Sequence, residues 1–478
     1  MTRQKADSIL FHLVILLLLL ATFGLFWAGR NFDIRFEEIV FHLFMPLQGT
    51  APVMITSYLL TGLLPALGLW AVWLLLWRRG LRLGGFALPL CLIWAALLVF
   101  GANRAFGFVS YVVNLGTRSD FIAREYADPR EVALTFPEKK RNLITIFVES
   151  GETTIQDESS GGLMPFNYIP EMTRIARENI SFSQSDLTVG AQVTPGAEWT
   201  MAALVAQTSG LPVKPGLRMA RSTAVYGALL PGAVSLGDIL AQAGYRNVFL
   251  AGSDFQFGGR VDYFARHGDY EIWDYKSAVR ENRLPNRDYY VWWGFEDQKL
   301  YAFAQERLTD LAAGDEPFNF AMLTVDTHHI VGYVCELCQN DRDSQYANVW
   351  ACASRQLDDF LRWIQAQDFY ADTTVVIFGD HPSMQPRFFA RGTPRQVYNV
   401  FINSAAETDC EADRRFTTLD FFPTTLASIG VSIEGERLGL GVNLFSGAPT
   451  LAEQYGYDAL SAELAKRSDF YDNDLLFP

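Results

Sequence analysis

Three long apolar stretches near the N-terminus constrain this chain more than any other feature. They cover residues 9–28, 58–77 and 83–102, and none of them contains Asp, Glu, Lys or Arg. Each is close to the ~20 residues that an α-helix needs to cross a hydrocarbon core of about 30 Å. The two later spans favour a retained anchor over a cleaved signal peptide. The sequence therefore predicts a three-helix transmembrane anchor at residues 1–105.

Basic residues around the spans predict the orientation of the anchor, because Lys and Arg concentrate on the cytoplasmic side. Five lie before the first span or between the second and third, against two between the first and second: Arg3, Lys5, Arg78, Arg79 and Arg82 against Arg30 and Arg35. We therefore expect a multi-pass protein of the cytoplasmic membrane, with everything after about residue 105 on the extracytoplasmic side. Residues 36–47 suit either a short helix in the outer interface or an ordinary amphipathic connector.

The charge of the chain excludes one class of partner. The formal net charge is -14, although residues 1–107 carry eight Lys and Arg against four Asp and Glu. The acidic excess therefore falls on the rest of the chain, where no basic stripe occurs. Such a surface repels a phosphate backbone, so nucleic acid is not expected as a partner.

From residue 142 onward, short β-branched runs alternate with amphipathic stretches, which is typical of an α/β fold. Strands are predicted at 143–148, 247–251, 319–325, 373–378 and 397–402, and helices at 165–178, 236–243, 298–313, 345–367 and 417–429. Residues 106–141 are predicted to be a linker. The prediction is a catalytic domain at 142–446, followed by a C-terminal extension at 447–478.

Four of the five cysteines lie beyond the predicted anchor: Cys335, Cys338, Cys352 and Cys410. On the extracytoplasmic side disulfides persist. A zinc site would require a second closely spaced pair, which Cys352 and Cys410 do not form. A disulfide is therefore favoured, and Cys338 with Cys352 is the preferred bridge.

Two predicted strands end in groups that can bind a metal ion. The run at 143–148 is followed by Glu149, and the run at 373–378 by Gly379, Asp380 and His381. Ligands collect where the carboxyl ends of parallel strands meet, and oxygen with nitrogen donors suits a divalent metal. A capped turn is the alternative for either motif alone, but together the two motifs favour a metal site.

A third predicted strand runs into Asp326, Thr327, His328 and His329. Two adjacent histidines are compatible with one solvated and one packed ring. In a site that handles phosphate, one of them can bind a non-bridging oxygen or protonate a leaving alcohol. The second interpretation is favoured here because the neighbouring strand ends carry the metal-binding groups.

An ordered set of motifs resembles the lipoteichoic acid synthase and phosphoglycerol transferase family, which has the alkaline phosphatase-like fold of the sulfatase superfamily. The resemblance runs from about residue 142 to 446, and within the family it is strongest to the transferases that modify periplasmic glucans. Its motifs are Glu149-Ser150, Val-Thr194-Pro-Gly-Ala-Glu-Trp-Thr200, Leu236-Gly-Asp-Ile-Leu240, Trp293-Gly-Phe-Glu-Asp297, Thr-Val-Asp-Thr-His328-His329, Gly-Asp380-His381 and Leu438-Gly-Leu-Gly441.

The resemblance implies roles for particular residues. Glu149, Asp380 and His381 would hold one divalent metal, expected to be Mn²⁺ with Mg²⁺ or Zn²⁺ as alternatives. Thr194 would be the fourth ligand and the nucleophile, with Thr200 as the alternative. A dication lowers the pKa of a hydroxyl and offsets charge on the attacked phosphoryl group.

The resemblance also implies two substrate-binding groups. His328 would lie near the phosphate, with His329 as the alternative because Ile330 stands where the lipoteichoic acid synthases have a proline shortly after their histidine. Arg260 would bind phosphate oxygens, which suit the planar guanidinium. The cysteine-containing motif that sulfatases convert to formylglycine has no counterpart near Thr194, which argues against sulfate ester hydrolysis.

These residues imply a membrane-anchored phosphoglycerol transferase. It would move glycerophosphate from phosphatidylglycerol to an envelope glycan, a glycolipid or a polyglycerophosphate chain, through a metal-activated threonine. The alternatives are a phosphoethanolamine transferase, a phosphodiesterase with water as acceptor, and a catalytically silent envelope protein that binds glycerophosphate polymers.

Overall fold

The computed structural model describes residues 3–81, 83–390 and 393–478. Five helices form the N-terminal region: α1 (Arg3–Asn31), α2 (Phe36–Phe44), α3 (Pro52–Tyr58), α4 (Leu64–Arg78) and α5 (Ala87–Phe106). One π-helical turn joins α3 to α4. Of the residues used to predict orientation, Arg82 and the side chains of Arg3 and Lys5 lie outside the described part.

Three stretches of this region are long and apolar enough to cross a membrane: Ile9–Asn31, Pro52–Arg78 and Gly84–Phe106. They match the predicted spans. Indole N–H groups connect them, since Trp73 donates to Nδ1 of His12 and Trp94 donates to the hydroxyl of Thr22. Polar contacts of this kind hold helices together in a membrane, where apolar packing contributes less because the lipid tails are equally apolar.

A six-stranded sheet lies at the centre of the chain that follows α5, the predicted outer domain, in the order β4-β3-β5-β2-β6-β7. Only β7 is antiparallel to its neighbour; the other pairs are parallel. The strands are β2 (Asn142–Val148), β3 (Arg246–Ala251), β4 (Glu271–Trp273), β5 (Phe318–Leu323), β6 (Thr373–Gly379) and β7 (Asn399–Ile402). This confirms the predicted α/β class. The three-residue β4 is too short to show in the sequence pattern.

Helices cover both faces of this sheet. They are α8 (Pro170–Glu178), α9 (Thr200–Ser209), α10 (Leu217–Tyr226), α11 (Leu236–Gln242), α12 (Arg260–Phe264), α13 (Tyr275–Arg280), α14 (Asp297–Ala312), α15 (Gln345–Gln365) and α16 (Phe421–Ser428). Helix α9 was not predicted from the sequence, because its ten residues are nearly all buried and so show no amphipathic period. The sequence signal for α9 is an alanine-rich run followed by Gly210. In the structure this glycine has the left-handed conformation that ends many helices.

Side chains of β2 alternate between two cores, as the period of a strand requires. Ile144 and Ile146 pack in the core that includes Trp350 of α15. Leu143 and Phe147 pack in the core that includes Leu204 of α9. Because β2 is buried on both faces, its sequence is a continuous apolar run.

The segments on either side of the predicted catalytic domain also have ordered structure. The predicted linker contains α6 (Phe108–Gly116), α7 (Phe121–Glu125) and β1 (Leu134–Thr135), which pairs with β8 (Ser432–Ile433). The chain continues through β9 (Arg437–Leu438), β10 (Gly441–Val442), α17 (Leu451–Tyr455) and α18 (Tyr457–Ala465). Phe121 and Leu460 belong to the same core as α9. The division into separate domains stays a prediction.

The disulfide that the sequence favoured is wrong for this structure. All five cysteines lie in the described part of the chain, and all are free. The Sγ atom of Cys335 is 3.6 Å from that of Cys338 and 3.8 Å from that of Cys352. Cys410 lies apart, beside Asp409. Spacing along the chain did not indicate that a third thiol contacts both members of the expected pair.

Candidate active site

The two predicted metal-binding motifs meet at the carboxyl edge of the sheet. Strands β2 and β6 are neighbours in parallel register, with Val148 opposite Gly379. The residues that follow them therefore emerge side by side. Ligand atoms of Glu149, Asp380 and His381 all lie within 4.8 Å of one another, and all three residues are buried.

Hydrogen bonds fix the two carboxylates and leave one oxygen without a partner. The backbone N–H groups of Ser150 and His381 both donate to Oδ1 of Asp380, each at 2.7 Å. The Ser150 hydroxyl donates to Oε1 of Glu149 at 2.8 Å. Among the described atoms, the buried Oδ2 of Asp380 has no hydrogen-bond partner. A buried carboxylate oxygen of this kind is costly unless a cation or a proton occupies the space beside it.

A backbone carbonyl determines which nitrogen of His381 faces the carboxylates. Nδ1 lies 2.9 Å from the carbonyl oxygen of Pro382, which can only accept, so we infer that Nδ1 carries the proton. Nε2 is then an acceptor. It lies 3.4 Å from Oδ2 of Asp380 and 3.7 Å from Oε1 of Glu149. A histidine oriented through its other nitrogen is a common arrangement for metal ligation.

The structure places Thr200, and not Thr194, beside these groups. The Thr200 hydroxyl lies 3.3 Å from Oε2 of Glu149 and 3.2 Å from Nε2 of His381. The Thr194 side chain is fully buried, and its hydroxyl has no partner within the described structure. The sequence favoured Thr194 and kept Thr200 as the alternative, and the assignment of the nucleophile stays a prediction. Helix α9 begins at Thr200, which places this residue at the N-terminus of the helix.

A buried side chain connects α9 to the end of β6. Nε2 of Gln207 donates to the carbonyl oxygens of Gly379 and Asp380, at 3.0 and 2.9 Å. Thr200 is the first residue of this helix, where the backbone N–H groups lack intrahelical partners and favour an anion. Gln207 was not singled out in the sequence, because a lone glutamine carries no motif.

The remaining predicted residues lie near the same cluster. Arg260, His328 and His329 line one cavity with Glu149 and Thr200. The ring of His328 packs against Trp293, at 4.1 Å between centroids, and its Nδ1 lies 2.7 Å from the carbonyl oxygen of His329.

Arg260 and His329 differ in how their side chains are held. Nη2 of Arg260 donates to the Ser253 hydroxyl and to the Asp254 carbonyl, which holds the guanidinium in place. Both ring nitrogens of the buried His329 are without partners in the described structure. Its ring instead contacts Phe32, at 5.0 Å between centroids.

Burial and charge act in opposite directions on the two carboxyl groups. Burial acts to raise the pKa of Glu149, but the imidazoles of His328 and His381 and the Ser150 hydroxyl lower it below its usual value. Burial and the charge of Glu149 raise the pKa of Asp380 well above its usual range. Two carboxyl groups, one imidazole and one hydroxyl thus converge at one point. This donor set fits a divalent cation.

The cavity above the cluster extends into the N-terminal region and has a volume of about 680 Å³. Its far wall includes Gly24 and Trp27 of α1, His42 of α2, and Met54 and Tyr58 of α3. Most of this wall is apolar. The sequence of α2 suits either an interfacial helix or a connector. In the structure α2 forms part of the wall of the candidate site.

Contacts between α2 and the outer domain hold this wall beside Thr200. Phe41 packs on Trp199 at 5.1 Å between ring centroids, and Nε of Arg35 lies 2.7 Å from Oε1 of Glu198. Burial raises the pKa of Glu38 well above its usual value and lowers that of His42 to about 4. Burial therefore disfavours the charged form of both groups.

Residues 141–431, more than half of the chain, match the model of the sulfatase family. The chain belongs to this family. As a sulfatase-family member it also resembles proteins named phosphoglycerol transferase I. Identity to the one from Escherichia coli is 27% over 441 residues, which cover 88% of this chain and 53% of the relative. Identity to the one from Shigella boydii is 28% over 414 residues, covering 82% and 51%. The chain spans about half the length of these relatives.

Two solved structures share the fold of this sulfatase-family chain. The lipoteichoic acid synthase LtaP from Listeria monocytogenes has a TM-score of 0.51 at 17% identity, covering 68% of this chain and 80% of that one. The lipooligosaccharide phosphoethanolamine transferase EptA from Neisseria meningitidis has a TM-score of 0.52 at 16% identity, covering 88% and 84%. The predicted alkaline phosphatase-like domain, preceded by three apolar helices, is confirmed.

Proposed function

We propose that this chain is a membrane-anchored, metal-dependent phosphoglycerol transferase whose donor is phosphatidylglycerol. The observation that carries the proposal is the cavity, which joins Thr200 and Glu149 to apolar side chains of the anchor helices. A phospholipid has the matching shape, with a phosphate at one end and acyl chains at the other. The likeness to relatives named phosphoglycerol transferase I supports the choice of reaction.

Glu149, Asp380 and His381 are proposed to hold one divalent metal, Mn²⁺ by preference and Mg²⁺ or Zn²⁺ otherwise. When bound, such an ion acidifies a hydroxyl and offsets phosphoryl charge. The partnerless Oδ2 of Asp380 and the acceptor nitrogen of His381 fit this role. Orientation across the membrane, with the outer domain on the extracytoplasmic side, stays a prediction from the basic residues.

Transfer is proposed to occur in two steps through Thr200. In the first, the Thr200 oxygen bonds to the donor phosphorus, the bond from phosphorus to the diacylglycerol oxygen breaks, and that oxygen gains the proton that Thr200 loses. In the second, an acceptor hydroxyl displaces Thr200 from phosphorus, and the proton returns. The N-terminus of α9, Arg260 and His328 would hold the phosphoryl oxygens meanwhile.

The second candidate is transfer of phosphoethanolamine, and the mostly apolar wall argues against it. Recognition of an ammonium group is expected to require a carboxylate beside it. Burial raises the pKa of Glu38, the acidic side chain that α2 contributes to the cavity, well above its usual value and so disfavours its charged form. Burial also lowers the pKa of His42 to about 4, and a neutral imidazole suits the hydroxyls of glycerol. The acceptor, whether a glycan, a glycolipid or a glycerophosphate chain, is left open by this geometry.

The test of the donor is release of diacylglycerol by the full chain in detergent. Head-group-labelled phosphatidylglycerol is expected to be cleaved with Mn²⁺ and spared after treatment with a chelator. Phosphatidylethanolamine serves as the matched lipid. Turnover of phosphatidylethanolamine alone would move the chain to the second candidate. No turnover of either lipid, with metal bound, would favour a silent binding protein.

Entry of the lipid tails past α1 predicts a selective effect of Gly24→Leu. Gly24 lines the cavity, and no atom lies within 4 Å of the position that its Cβ would take. The added side chain would occupy space needed by an acyl chain. Because overfilling an apolar site costs about 1–3 kcal/mol, turnover of long-chain phosphatidylglycerol should fall on the order of tenfold, and that of a short-chain analogue should fall much less.

Gly68→Leu is the matched control for this experiment. Gly68 is also in an apolar helix with open space around its Cβ, but it does not line the cavity. Its substitution is expected to leave both rates unchanged. Equal loss with long and short chains, or equal effects of the two variants, would argue against tail entry along α1.

A further inference from the structure

Three cysteines outside the candidate active site lie close together. Cys335 and Cys338 lie in the loop that follows β5, and Cys352 lies in the second turn of α15. Their Sγ atoms are all within 4.8 Å of one another. Cys335 and Cys352 are buried, and Cys338 is partly so. The other two thiols of the chain, Cys91 and Cys410, do not belong to this group.

The spacing of these sulfurs matches a tetrahedral metal site. A zinc–thiolate bond of about 2.3 Å implies sulfurs ~3.8 Å apart along a tetrahedral edge. The observed separations from Cys335 are 3.6 Å to Cys338 and 3.8 Å to Cys352. A disulfide would employ only two of the three thiols and would leave the third buried beside it. A metal ion engages all three.

The groups around the thiols favour a cation. Nε2 of Gln356 lies 3.5 Å from Sγ of Cys352 and 3.8 Å from that of Cys335, and the buried Oε1 of the same amide has no partner in the described structure. The two amide atoms exchange places by rotation. Burial raises the pKa of Asp297 to about 7 and that of Asp326 well above its usual value, and Cys335 adds to both increases, so two acidic groups lie near the thiols. Acidic groups beside thiols oppose formation of bare thiolates and favour a bound cation.

We propose that Cys335, Cys338 and Cys352 bind one Zn²⁺ ion as thiolates, separately from the metal proposed at Glu149. Binding releases the three thiol protons to solvent. The fourth position would be taken by the Gln356 amide oxygen or by water. The ion would fasten the loop that carries His328 and His329 to α15. This inference does not depend on the proposed function.

The first test measures metal in the detergent-purified full chain by mass spectrometry of the elements. Cys335→Ala, Cys338→Ala and Cys352→Ala are each expected to lower bound zinc by one ion per chain. Cys410→Ala is the matched control and should lower nothing, because Cys410 is outside the cluster. Asp380→Asn should remove the other metal and leave this zinc in place. Unchanged zinc in all three cysteine variants would overturn the proposal.

The second test uses the unaltered protein, so that it remains decisive if a variant fails to fold. The native chain is treated with an alkylating reagent before and after addition of a zinc chelator, and the modified cysteines are identified by peptide mass spectrometry. The three thiols are expected to be protected until the chelator is added. Alkylation of all three without chelator, or a disulfide that only a reductant opens, would overturn the proposal.

Discussion

Replacement of Thr200 by alanine is expected to abolish release of diacylglycerol from phosphatidylglycerol. The Thr200 hydroxyl is within 3.3 Å of both Glu149 and His381. Without that oxygen no covalent intermediate forms, so the rate should fall on the order of 10³-fold or more. The fold should persist, because alanine has a higher helix propensity than threonine. The measurement is single-turnover release with Mn²⁺ present.

Thr194→Ala is the matched control, since both threonines lie in the same short segment and the sequence favoured Thr194. Its hydroxyl is buried without a hydrogen-bond partner, so its loss should change the rate only a few-fold. Thr200→Ser keeps an oxygen at the same position and should retain part of the activity. Intact-mass measurement of the wild-type chain should show a glycerophosphoryl adduct that Thr200→Ala lacks. The reverse pattern, with Thr194 essential and Thr200 dispensable, would show that the nucleophile is misassigned.

Asp380→Asn is expected to act on activity and on metal-free stability in opposite directions. The substitution removes one charged ligand, so metal should be lost and turnover should fall on the order of 10³-fold. In metal-free protein, the carboxylates of Glu149 and Asp380 are buried together, and Oδ2 of Asp380 lacks a partner. A neutral amide removes the repulsion. The metal-free variant should therefore unfold at a higher temperature than metal-free wild type.

Glu152→Gln is the matched control, because Glu152 is a second buried carboxylate near the same sheet edge. It forms an ion pair with Arg395 and accepts the N–H of Ser383. Its neutralisation leaves Arg395 without its counter-charge and should destabilise the protein by about 3–5 kcal/mol with or without metal. Thermal unfolding with and without chelator measures both variants. A lower melting temperature for metal-free Asp380→Asn would contradict the prediction.

The sheet, the anchor and the three acidic or imidazole groups of the candidate site could be predicted from the sequence. Central parallel strands are buried on both faces, so β2, β5 and β6 appear as apolar runs of limited length. The residues directly after such strands must emerge at one edge, which brings Glu149 and Asp380 together without any knowledge of the loops. Membrane spans can also be predicted from local sequence, because their length and their lack of charged residues are enough to identify them.

The tertiary structure decided which threonine faces those groups. Thr194 and Thr200 are six positions apart in a segment of no regular pattern, and the choice depends on where α9 begins and on its attachment to β6 through Gln207. The same holds for α2, whose amphipathic sequence suits either a membrane surface or a protein partner. Its position on the cavity follows from long-range contacts such as Phe41 with Trp199.

The cysteines show the same limit. Cys335 and Cys338 are close along the chain, but Cys352 reaches them only because α15 returns over the loop after β5. Local patterns determine which segments become helix or strand, because they depend on the period of burial along a few turns. Contacts between distant segments depend on how those elements pack. That packing decided which threonine lies beside Glu149, which side chains line the cavity and how the three thiols meet.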